Sequence, residues 1–142
     1  MRRHLLMVLA GVVVASLVGI AQSGAISSEA DYDAAMKELR FLVTDAAMHI
    51  DASYFGDLGE DSDKLHEQFT KVESFWKAQE QPKAVEITEQ ALAAVSAISR
   101  ASGAQDGPAA TAALADLRTT CSATNMVACS VPGCCKACFE PK

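Results

Sequence analysis

Residues 28–54 read SEADYDAAMKELRFLVTDAAMHIDASY. Apolar side chains recur at Tyr32, Met36, Leu39, Val43, Ala46, Ile50 and Tyr54, always three or four residues apart. A helix turns once every 3.6 residues, so this spacing draws one apolar stripe along about seven turns. The period-two alternation of a half-buried strand is missing. Ser28-Glu29-Ala30-Asp31 resembles a capping box with Asp in the Glu position, which marks the helix start. Gly56 and Gly59 are expected to end it.

The same grammar continues along the chain. Asp61-Ser62-Asp63 offers a cap and negative charge for a second helix, whose stripe is Leu65, Phe69, Val72, Phe75 and Trp76. Pro82 suits the first position of a third helix, which carries Val85, Leu92, Val95 and Ile98 and stops before Gly103. Gln105-Asp106-Gly107-Pro108 reads as a turn, after which Ala110, Leu114, Leu117 and Cys121 form the stripe of a fourth helix. Short connections between long helices make neighbours antiparallel. The expected fold is all-α, an up-down-up-down four-helix bundle over residues 26–122. The alanines of helices three and four either allow close helix approach or leave room for something that is not side chain.

The chain before this bundle reads as a secretory signal over residues 1–25. Arg2, Arg3 and His4 form a basic start, Leu5 to Ala21 is apolar, and Ala21-Gln22-Ser23 and Ser23-Gly24-Ala25 both fit cleavage sites. The protein is therefore expected to be periplasmic or secreted, with no membrane contact beyond the signal segment. Cleavage removes two of the 12 Lys and Arg and none of the 18 Asp and Glu, leaving a net charge of about −8. Such an acidic surface argues against nucleic acid as a partner. All 5 cysteines lie from Cys121 onward, most of them in a cysteine-rich tail over residues 123–142. Export favours disulfides among Cys129, Cys134, Cys135 and Cys138. Four thiols can also close around zinc, although only one C-x-x-C pair is present.

The stretch AMKELRFLVTDAAMHIDASYFGDLGEDSDKLHEQF, then VESFWKA, then ALAAVSAISRASGAQDGPAATAALADLRTTCSA resembles the class II cytochromes c, the cytochrome c-prime group and its low-spin relatives. The resemblance covers about Asp31 to Cys121. It implies a four-helix bundle holding haem c near the end of its last helix, where C-x-x-C-H supplies two thioether bonds and an iron ligand. It also implies single-electron transfer with a redox partner protein, an electron carrier rather than an enzyme, and a homodimer as one assembly. No hydrolase, phosphate-loop or zinc-protease motif competes with this reading.

On that resemblance Met36 is the candidate axial ligand to the haem iron, and Cys121 the candidate attachment thiol. Met36 also reads as a core gap-filler, and Cys121 as a small buried residue or disulfide partner. The attachment motif is incomplete. Thr124 and Asn125 stand where Cys and His belong, and Cys135-Lys136-Ala137-Cys138 is followed by Phe139. Cys135 and Cys138 are the second candidate attachment pair. The alternative function is a haem-free helical binding or structural module with a disulfide-bonded or metal-binding tail. Few charges follow Arg118, as divergence or a reading-frame change near Ala123 would produce. His49 and His66 read as solvent-facing, and Glu60, Asp61 and Asp63 as capping residues.

Overall fold

The computed structural model describes residues 25–128, with side chains to residue 122. The expected signal segment, Ala25 apart, and Cys129, Cys134, Cys135 and Cys138 lie outside the described residues. Four helices follow in order: α1 (Glu29–Asp51), α2 (Phe55–Ala78), α3 (Pro82–Ala104) and α4 (Gly107–Ala128). Each runs for about 34 Å. Each helix touches the next, and α1 also touches α4, so the four close a ring. The connections are two or three residues long, and the bundle is the expected antiparallel one. Helix α4 continues six residues past the expected bundle edge at 122. No helix among the described residues is long and apolar enough to cross a membrane.

The cap of α1 is the expected one with a shifted partner. Ser28 Oγ accepts from the Asp31 amide at 3.2 Å. The Asp31 carboxylate reaches back to Ser27, accepting from its amide at 3.2 Å and its hydroxyl at 2.9 Å. Hydrogen bonding of the carboxylate to the Ser28 hydroxyl, then to the Ser27 hydroxyl and amide, holds the Asp31 carboxyl below its ordinary range. Ser28→Ala is expected to destabilise the protein by about 1 kcal/mol, measured as a lower urea midpoint at unchanged slope.

The first turn falls earlier than the glycines suggest. Helix α1 ends at Asp51, and Gly56 and Gly59 lie inside α2. The turn is a Schellman motif centred on Ser53, whose φ of 59° is left-handed. Its amide donates to the Ile50 carbonyl, and the Tyr54 amide donates to His49. The two later turns repeat this geometry at Glu80 and Gln105, with φ of 53° and 55°. In each, the residue after the left-handed one starts the next helix, because the carbonyls of Tyr54, Gln81 and Asp106 accept its first helical bond. Gly59 instead marks close approach. A Cβ there would meet Ser102 Oγ at 3.3 Å, and that hydroxyl donates to the Phe55 carbonyl.

Buried positions recur in heptad fashion, for example Leu58, Asp61 and Ser62, Leu65, Phe69, Val72, then Phe75 and Trp76 on α2. On α3 the seam is mostly small: Ala84, Ala91, Ala94 and Ala101 are buried, with Val95 and Ile98. The expected Val85 and Leu92 are only partly buried beside it. The alanines thus serve close helix approach, since Ala84 and Ala91 retain no more than 1% of their surface. Tyr54, expected on the α1 stripe, is exposed because the helix has ended before it.

Candidate functional site

Antiparallel order brings the start of α1, the end of α2 and the start of α3 to one end of the bundle. Tyr32 fixes the register there. Its ring stacks on Phe75 with centroids 5.1 Å apart and meets Trp76 edge-on at 5.2 Å. All three rings are buried. The cluster leaves one polar atom unanswered: the Trp76 indole nitrogen is buried and has no hydrogen-bond acceptor. An unmet buried donor costs about 1–3 kcal/mol. Beside it, a cleft of about 290 Å³ runs between the α1 start and the α2 end, walled by Phe75 and Trp76 and rimmed by Ser27, Ser28, Gln79 and Gln81.

Met36 and Cys121 are both partly buried against the core. A second cleft of about 240 Å³ gives the α1–α4 register, with Ala47 and Ile50 facing Leu114 and Arg118. Continued in antiparallel fashion, that register sets Cys121 opposite about Val43. Met36 lies about two turns further toward the α1 start, roughly 11 Å along the axis. Burial pushes the Cys121 thiol up to about 11, so it is protonated at neutral pH. It is then a poor thiolate ligand and a slow nucleophile.

The donor set limits what this end can hold. Among the described side chains it offers one thioether sulfur and one thiol. Neither histidine of the described residues joins them. His66 is exposed on α2, and His49 is engaged near the opposite end. Haem c held by two thioether bonds and an imidazole does not fit these residues. Among the described residues no three metal-ligating side chains cluster. Cys135 and Cys138 lie outside them.

The opposite end holds a polar pair of which the sequence reading assigns His49 to the surface and Asp61 to a helix cap. His49 Nδ1 lies 2.7 Å from Asp61 Oδ2, and the Asp61 side chain is only 4% exposed. Asp61 is not a cap, because α2 begins six residues earlier and Asp61 falls on its buried stripe. Glu60 and Asp63, on neighbouring positions, are exposed. The bond to Asp61 raises the His49 pKa above its ordinary value, with the charges of Asp61, Asp45 and Asp57 adding to it and partial burial opposing it. The signal for this pair was an acid four residues before Leu65, on the apolar stripe. Trp76, expected as core, is 1% exposed, yet nothing in the sequence indicated that its nitrogen would be orphaned. Comparison with protein-family models, curated proteins and solved structures gives no match to this chain.

Proposed function

We propose that this chain is an exported, class II cytochrome c-like bundle for haem binding and single-electron transfer, with Cys121 as the one attachment thiol. The observation that carries the reading is the half-buried placement of Met36 and Cys121, about two turns apart along the axis, toward one end of an antiparallel bundle. Haem supplies the redox chemistry when bound. The chain contributes a low-dielectric surround, the Met36 thioether and the acidic exterior that meets a basic redox partner. A thioether ligand favours the reduced iron and raises the potential.

A visible spectrum of protein matured in a host with c-type assembly machinery tests this. A Soret band that survives acid-acetone extraction is expected, and Cys121→Ser is expected to abolish it. No such band in the parent protein removes the proposal. The missing imidazole favours a second reading: a haem-free helical binding or structural module whose tail cysteines form disulfides or hold a metal. In that case the intact mass lacks one haem. Helicity that falls with chelator marks the metal form, and a mass lowered by bridge formation marks the disulfide form.

A further inference from the structure

We propose that His49 and Asp61 form a proton-operated latch: a charged His49 holds the α1–α2 turn and the first turn of α2 closed, and a neutral His49 lets that segment open on its own. The device does not involve haem. The segment is weakly built. From Asp51 to Asp57 no residue is buried, and only Phe55 is half-buried, so little apolar contact opposes opening. Tyr54, at the N-cap of α2, makes no side-chain capping bond. Gly56 follows in the first helical turn, and a Cβ there would meet nothing within 4 Å. It weakens the helix start without serving a close contact. The turn itself passes through Ser53 with a left-handed φ of 59°, which costs energy in residues other than glycine.

His49 gathers the ties that oppose opening. Its carbonyl accepts the Tyr54 amide at 2.8 Å. Its ring lies beside that of Tyr54, with centroids 6.4 Å apart, and its Nδ1 lies 2.7 Å from Asp61 Oδ2 on α2. The residue stands in the last turn of α1, where the helix dipole favours a positive charge. The charges that bear on the ring are negative: Asp61 and Asp57 from α2, and Asp45 from α1. On the α4 side, Asp51 and Arg118 line the neighbouring cleft, and α3 does not touch α1. The other side-chain tie on the segment, from Ser102 Oγ to the Phe55 carbonyl, does not titrate. A protonated His49 thus joins carboxylates of both helices. Once the proton leaves, those carboxylates stand together without a cation, and the Asp61 side chain is only 4% exposed. Opening separates Asp57 from Asp45 and brings water to Asp61, which relieves repulsion and desolvation together.

Amide exchange in 15N-labelled protein tests this at Ser53, Tyr54 and Leu58, whose N–H groups close the turn and the α2 start. Val95 and Ile98, buried on α3, serve as the reference. After correction for intrinsic exchange rates, protection at the three amides is expected to fall about fivefold between about pH 5.5 and about pH 8.5, as a charge-assisted bond becomes a neutral one. That protection is expected to be insensitive to dilute urea, whereas Val95 and Ile98 lose theirs as urea promotes global unfolding. His49→Gln keeps a neutral donor and is expected to show the lower protection at both pH values. Gly56→Ala is expected to raise protection about fivefold at both, through helix propensity alone. Turn amides as sensitive to urea as Val95 overturn the proposal, because the segment then opens only with the whole bundle. So does a pH response absent from the parent protein or equally large in His49→Gln, or no gain in Gly56→Ala.

Discussion

Trp76→Ala is expected to lower the folding free energy by about 3–5 kcal/mol, the range for deleting a buried aromatic that its surroundings cannot replace. The ring is 1% exposed and contacts both Tyr32 and Phe75. Collapse into the vacated space is opposed by two helix starts and a helix end that meet there. Trp76→Phe is expected to cost under about 1.5 kcal/mol. It loses ring area, but it also removes the orphaned N–H and its desolvation penalty of about 1–3 kcal/mol. Urea unfolding of the two variants checks this. If Phe costs as much as Ala, the nitrogen is satisfied in solution and the orphan assignment is wrong.

His49→Ala is the second large effect, about 2 kcal/mol at pH 6, the scale of a hydrogen bond to a charged group. The variant leaves the Asp61 carboxylate buried with its one cross-helix partner gone, which is costlier than deleting both groups. His49→Ala/Asp61→Leu is therefore expected to recover much of the loss. The pair also ties stability to pH. His49 holds its proton more tightly folded than unfolded, because the bond to Asp61 favours the charged ring. The resulting stabilisation is complete below the unfolded histidine pKa of about 6.5. It is lost as pH rises above that value through the higher folded pKa. Midpoint against pH should fall over this window in the parent protein and stay flatter in His49→Ala. Equal slopes would remove His49 as the cause.

The four helices were legible because each element carries its own stripe. Leu39, Val43, Ala46 and Ile50 on α1, and Leu65, Phe69, Val72, Phe75 and Trp76 on α2, are buried where the periodicity set them. The first turn was misread because glycine is the usual left-handed residue, and here Ser53 takes that role while Gly59 serves an interhelix approach. A Schellman turn is recognised by two backbone bonds, and residue types only bias it. The α3 seam was misread for a similar reason. Val85 and Leu92 are the more apolar residues, yet the neighbours of α3 come so close that alanine is the better fit in the middle.

Sequence alone determined that this chain makes four amphipathic helices with short antiparallel connections, since helical periodicity and capping are local properties. It also singled out Met36 and Cys121, through a resemblance that spans most of the helical region. Only the tertiary structure decided which faces meet and which polar groups are stranded. It joined His49 to Asp61, and it buried the Trp76 nitrogen without an acceptor beside a cleft. Both outcomes depend on the axial register of neighbouring helices. Register is set by side-chain packing between chain segments far apart in sequence, and a periodic pattern fits several registers almost equally well.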